Sequence, residues 1–179
     1  GRFDPETGFY EMERSPVDLI ALVRDIVDKY LLPAEKQDLT LTVNARDDVP
    51  IVNVDEMMIQ RAVTNLVDNA IKYTPDGGRI EVGIRRDGED VVISVSDTGL
   101  GISEDNLKQI FNRHFRIHRQ EHMRVKGSGL GLFIVRAVAL RHGGDATVQS
   151  VEGEGSTFSF YIPLKGDNLL FPRMHDDTD

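Results

Sequence analysis

Asn65, Asn69 and Lys72 fall within about 60° of one another on a helix of about 3.6 residues per turn, so they share one face. Asparagine is a poor interior helix residue because its amide competes for nearby backbone groups, and two of them one turn apart need a reason. A solvated polar face is the bland one. The chemical one is a pair of neutral carboxamide oxygens offered to a hard cation, with an ammonium nearby for an anion, as a metal–phosphate substrate requires. Magnesium suits such a site because it keeps waters and phosphate oxygens and needs only one or two protein ligands. A second group is DTGLGI, Asp97 to Ile102. Gly99 and Gly101 would let a flat ligand come close, and a carboxylate at a strand end can accept from an exocyclic amine, although Asp-Thr-Gly alone is more often a turn.

The third group is Gly127-Ser128-Gly129-Leu130-Gly131, directly ahead of the apolar run LFIV. Free amide hydrogens and the positive end of a helix would meet an anion there. It is neither a P-loop, which needs GxxxxGK[ST], nor a dinucleotide fingerprint, which needs GxGxxG after a strand. Instead a basic stretch precedes it: residues 111–126 carry Arg113, Arg116, Arg119, Arg124 and Lys126 against the single acid Glu121. A solvated loop would explain that stretch on its own. Its position matters, because it leads straight into the glycines.

The chain as a whole sets the limits. Its 179 residues suit one domain with one core. With no cysteine and five scattered histidines, disulfides and a protein-held zinc are both unexpected, and a reducing compartment such as the cytoplasm fits. A formal charge of −9 argues against a nucleic-acid surface. No run approaches the roughly 18 apolar residues of a membrane span, and the amino terminus is no signal peptide, so a membrane is expected only through a part N-terminal to this one.

The elements that must position these groups follow from caps and periodicity. Ser15-Pro16-Val17-Asp18 reads as a helix start, with a first helix over about 16–32 that could pass Pro33. LTLTVNA (39–45) and IVNV (51–54) read as strands. Asp55 caps a second helix with Ile59, Ala62, Val63, Leu66, Val67, Ala70 and Ile71 on its core face. Residues 79–86 and 90–97 form a hairpin around Asp87-Gly88. A short third helix runs from Ser103 to about Phe111, and a fourth follows the glycines and stops at Gly143-Gly144. DATVQSV and STFSFYIPL finish as strands. The expected fold class is α/β: a two-layer sandwich, one mixed and mostly antiparallel sheet with three to four helices on one face.

NLVDNAIKYTPDGG, DTGLGI, IFNRHFR, GSGLGLFIV and GEGSTF resemble, in order, the N, G1, F, G2 and last glycine-rich boxes of the ATP-binding catalytic domain of sensor histidine kinases. The resemblance covers about residues 15–164 and implies a Bergerat-type ATP-binding fold. It implies that Asn65 and Asn69 hold Mg2+ and phosphates, that Lys72 and Tyr73 meet phosphates and adenine, and that Asp97 accepts the adenine amine in a pocket shaped by Gly99 and Gly101. Residues 102–126 match a lid over ATP, with Arg113, Phe115, Arg116 and Lys126 at the nucleotide. Gly127, Ser128, Gly129, Leu130, Gly131 and Leu132 end that lid under the phosphates, and Thr157 matches a hydroxyl in the adenine wall.

Two departures stand out. His114 occupies a position where the family usually has an aromatic residue. None of His114, His118, His122, His142 or His175 is followed by the acid and proline-bearing turn of a phosphoacceptor. The resemblance therefore implies a catalytic half: residues 1–14 as connector from a histidine-containing dimerisation domain, 15–164 as the ATP-binding domain, 165–179 as a polar tail. A response regulator receiver domain is the implied onward partner. Gyrase- and chaperone-type ATPases share the fold but carry a glutamate where Asn65 stands. A serine-kinase cousin of the anti-sigma type and a nucleotide-binding scaffold without turnover are the other readings.

Overall fold

A computed structural model describes residues 4, 10–46, 48–111 and 130–171. The first helix begins later than its sequence suggests. Ser15–Val17 is a short strand, β1, paired antiparallel with β3 (Val52–Val54), Ser15 opposite Val54 and Val17 opposite Val52. Extended backbone there lets Val17 join Val52 and Val54 in the core, where all three are buried. Helix α1 (Leu19–Lys36) is capped by Asp18, whose Oδ1 accepts from the Ala21 N–H at 3.1 Å. Aspartate caps as well as serine does, so the choice falls to burial. The helix does run through Pro33.

β1 and β3 form a two-stranded ribbon apart from the main sheet, which corrects the expectation of a single sheet. The main sheet holds β2 (Thr40–Ala45), β4 (Arg79–Asp87), β5 (Asp90–Asp97), β6 (Ala146–Val151) and β7 (Gly155–Pro163) in the order β2-β4-β5-β7-β6. Only β2 and β4 are parallel; the other neighbours are antiparallel, as a mixed, mostly antiparallel sheet requires.

Alternation decides which face is covered. Ile80, Val82 and Ile84 of β4, Val91, Ile93 and Val95 of β5, and Phe160 and Ile162 of β7 are buried, while Arg79, Glu81 and Arg85 between them are exposed. The helices lie on the buried face. Helix α2 (Glu56–Tyr73) supplies Met58, Ile59, Ala62, Val63, Leu66, Val67, Ala70 and Ile71, each buried, and fully burying an Ile or Leu is worth about 1.5–3 kcal/mol. Helix α3 is a single turn, Glu104–Leu107, shorter than expected, and α4 (Leu130–Arg141) ends at Gly143 and Gly144. Residues 166–168 make a 3-10 turn whose Asn168 is buried, so the fold extends past the expected boundary at 164.

Two caps are thus in competition at the first helix, and their variants distinguish them. Asp18→Ala should cost about 1 kcal/mol by the loss of a cap, whereas Ser15→Ala should stay within about 0.5 kcal/mol. Denaturant unfolding of the two variants checks this; equal losses would return the helix start to Ser15.

Candidate functional site

Asn65 and Asn69 project from the middle of α2 toward the first turn of α4. Asn65 Nδ2 lies 3.5 Å from the Gly131 carbonyl oxygen, and a Cβ built at Gly131 would rest 3.4 Å from Asn69 Nδ2 and 3.5 Å from Asn65 Cβ. Three residues 62 or more positions apart in pairs across the two helices therefore meet at one seam. A methyl group would just fit at residue 131; anything longer would fill the space in front of the carboxamides. Because the Asn65 amide nitrogen faces a carbonyl, its Oδ1 is left as the acceptor. The donor set suits a hard cation that brings its own waters and phosphate oxygens. No cluster of three or more His, Cys, Asp or Glu that could cage a metal occurs among the described residues.

Lys72 is on the same helix face but already has a partner. Its Nζ sits 2.8 Å from Asp68 Oδ2, and that hydrogen bond holds the ammonium above its ordinary pKa. Tyr30 of α1 is close enough to feel both charges: burial first, then Asp68, pushes its phenol up, and Lys72 pulls it down. An anion recruiting Lys72 would have to share it with Asp68. Tyr73 is half-buried in the last turn of α2, and Leu132 packs partly against the core.

Asp97 ends β5 on the helix side of the sheet. Its Oδ1 accepts from the Gly99 N–H at 2.8 Å, a turn that closes on itself. Burial pushes its carboxyl above the ordinary value, with the Gly99 and Ser156 N–H groups pulling it back down in part. The glycines around it have packing reasons. A Cβ at Gly99 would lie 2.8 Å from Asp97 Oδ1 and 3.3 Å from the Tyr73 carbonyl oxygen, so the turn rests against the end of α2. A Cβ at Gly101, whose φ is +72°, would strike the Val151 carbonyl, and one at Gly155 would strike that of Asp97.

Thr157 is not brought to this pocket. It lies opposite Ser96 in the β5–β7 ladder, one residue out of phase with the Asp97–Ser156 pair, and its hydroxyl meets Ser96 Oγ at 2.9 Å on the face away from the helices. Ser156 is the hydroxyl on the same side as Asp97; it is buried and bonded to Ser150 Oγ at 2.7 Å. The signal that finds it is strand parity, since residues paired across a ladder share a face. Arg113, His114, Phe115, Arg116, Lys126, Gly127, Ser128 and Gly129 lie outside the described residues, and Leu130 is described only as the first residue of α4.

A profile of the histidine kinase-, DNA gyrase B- and HSP90-like ATPase family matches residues 54–166. The adaptive-response sensory kinase SasA of Rippkaea orientalis is 41% identical over 147 residues, 82% of this chain and 37% of its own. The chain thus spans about two fifths or less of the length of such curated relatives. Among solved structures, the catalytic domain of histidine kinase ThkA superposes with a TM-score of 0.74 at 29% identity, covering 85% of this chain and 96% of that one. Full-length ShkA in complex with AMPPNP matches with a TM-score of 0.75 at 28% identity, over 86% of this chain and 32% of that one. ThkA in complex with the response regulator TrrA shares the fold at 23% identity and a TM-score of 0.71, over 86% and 42% of the two chains.

The environment of Asp97 has a consequence for stability. Since burial lifts its folded pKa above the unfolded value, the ionised group costs stability at neutral pH, and the cost fades as pH falls through the folded value. Asp97→Asn keeps the acceptor for Gly99 N–H and removes the charge. The variant should melt no lower than the parent near about pH 7, its advantage narrowing toward about pH 4. Thermal unfolding across that range measures it; a parent clearly more stable at neutral pH would mean that the carboxylate is well solvated in place.

Proposed function

The chain belongs to the histidine kinase-, DNA gyrase B- and HSP90-like ATPase family, and from that premise we propose that it is the ATP-binding catalytic part of a sensor histidine kinase. The observation that carries this reading is α2 serving two contacts at once. Its middle presents Asn65 and Asn69 to Gly131 at the start of α4, and its last turn supports the Asp97–Gly99 turn through the Tyr73 carbonyl. A nucleotide lying along α2 would find a carboxylate at one end and carboxamides with helix-terminal amides at the other.

In this reading the adenine amine donates to Asp97, within a wall that includes Ser156 rather than Thr157. The start of α4 faces the phosphates, where the helix dipole favours negative charge. Asn65 and Asn69 would hold Mg2+, which would supply neutralising charge to the β- and γ-phosphates. Lys72 is shared between Asp68 and the polyphosphate, and the basic residues Arg113, Arg116 and Lys126 of the lid complete the charge balance. The proposed reaction is transfer of the γ-phosphoryl group to a histidine on a dimerisation domain. The imidazole nitrogen forms the new P–N bond, the bond to the bridging oxygen breaks, and ADP leaves. This domain contributes positioning and charge rather than a covalent nucleophile. A receiver domain of a response regulator then takes the phosphoryl group. No helix among the described residues is long and apolar enough to cross a membrane.

Calorimetric titration with ATP, with and without magnesium, tests the binding step. Asn69→Asp should weaken magnesium-dependent ATP binding about tenfold or more, equivalent to about 1.4 kcal/mol, because it places a fixed charge beside the phosphates and alters the cation site. Unchanged affinity would remove Asn69 from the site. Adding a separately produced histidine-bearing dimerisation domain should yield acid-labile, base-stable phosphate on that domain. Saturable ATP binding with no such product would leave a nucleotide-binding scaffold.

A further inference from the structure

Residues 10–17 are tied to the rest of the fold at one buried polar cluster, away from the α2–α4 seam. His142, just past α4, is 2% exposed. Its Nδ1 meets the Val138 carbonyl oxygen at 2.8 Å, and its Nε2 accepts the Asp55 N–H at 3.1 Å. A ring that donates at Nδ1 and accepts at Nε2 is neutral. Asp55, buried at the cap of α2, then uses both carboxylate oxygens: Oδ1 accepts from Met58 N–H at 3.0 Å, and Oδ2 from Glu13 N–H at 2.9 Å. Arg14 Nη1 donates to the Asn53 carbonyl at 2.8 Å and to Asn168 Oδ1 at 2.6 Å. Asn168 Nδ2 in turn donates to the carbonyls of His142 and Pro163, each at 2.8 Å. Arg141 reaches the Tyr10 carbonyl at 3.1 Å and Asp4 at 3.3 Å.

We propose that the His142–Asp55 contact is an acid-sensitive latch: the neutral imidazole locks residues 10–17 onto the junction of α2, α4 and β3, and protonation releases that segment while the main sheet stays folded. Protonation would set an N–H at Nε2 against the Asp55 N–H in a buried site, where an unpaired donor is costly. The charged groups facing the ring pull in both directions. Asp55 from the α2 cap favours the imidazolium, whereas Arg14 from the N-terminal segment and Arg141 from the end of α4 oppose it. The Asp55 carboxylate cannot turn to help without dropping Glu13 or Met58. Burial is the largest influence and moves the His142 pKa below its ordinary value. Hence the latch is whole above about pH 6.5 and erodes as pH falls from there toward the folded value. What yields first is decided by size: β1 has three residues in a two-stranded ribbon, the weakest pairing in the fold, whereas β5 is paired on both sides.

Hydrogen exchange on the intact chain, corrected for intrinsic rates, tests this independently of any nucleotide. Between about pH 7.5 and about pH 5.5, protection of amides 13–17 and 52–55 should fall about tenfold or more, while that of residues 91–95 holds. His142→Gln, which keeps an acceptor and a donor but does not titrate, should make that profile flat. The same pH course in both proteins, or loss of protection in β5 in step with residues 13–17, would overturn the latch. Should the variant not fold, nitrogen NMR of the imidazole in the unaltered chain decides. His142 must change from the Nδ1–H form to the imidazolium over the range in which residues 13–17 open; opening with the ring still neutral, or protonation without opening, would refute it.

Discussion

Backbone packed directly on backbone around Asp97 is the constraint on which the site depends. The β5 end, the turn after it and the β6–β7 connection approach so closely that side chains at Gly101 and Gly155 would occupy the carbonyl oxygens of Val151 and Asp97. The half-buried Asp97 carboxylate at this corner meets two fixed N–H groups, from Gly99 and Ser156. A carboxylate held this way is under-solvated and geometrically fixed, which suits an acceptor awaiting a donor from a ligand. The glycines thus answer to protein packing first. In the proposed reading, that packing would leave one acceptor for the ligand at a rigid corner.

The second requirement is that α2 satisfy the sheet and the seam together. Its apolar residues recur at helical spacing and fill the core, which was readable in the sequence as a single stripe with the asparagines opposite. The hairpin, the Asp55 and Ser103 caps and the glycine stop of α4 were equally readable, because each rests on local chemistry within a few residues. The misreadings share a cause, which is that partners distant in sequence outweigh local signals. Ser15-Pro16 is an acceptable helix start, yet Val17 gains more from lying beside Val52. IVNV has strand composition, but nothing local says whether it joins the main sheet or pairs with residues 15–17. Thr157 and Ser156 carry the same functional group, and only the register against Asp97 separates them. Where Gly131 sits relative to Asn65 and Asn69 is likewise a tertiary fact, legible in the sequence only through resemblance to a family.

Helices α2 and α4 also share a second junction. Their seam holds the carboxamides near Gly131, and at the far end of α4 the α2 cap, Asp55, meets His142. Polar contacts therefore join the two ends of α4 to the cap and to the middle of α2, and the core lies between them. A shift of residues 10–17 would bear on the Asp55 end, and rigid helices would carry it to the seam rather than absorb it. The segment that precedes the family-matched region is in this way joined mechanically to the elements that make the site.

The same seam bears on which chemistry the fold can run. ATPases of the gyrase and chaperone type activate water with a glutamate one turn before the magnesium asparagine, and here that position is Asn65, whose amide nitrogen faces the Gly131 carbonyl and whose oxygen cannot take a proton at neutral pH. The acid nearest along the helix, Asp68, is engaged by Lys72 at 2.8 Å. Water held near the γ-phosphate would thus meet neutral acceptors and a carboxylate already neutralised by an ammonium. In the proposed reaction an imidazole, which needs no proton removed before it attacks, would be a better nucleophile there than water. Under the proposed reading, a carboxamide in place of that carboxylate would leave a site that holds ATP without a base to activate water.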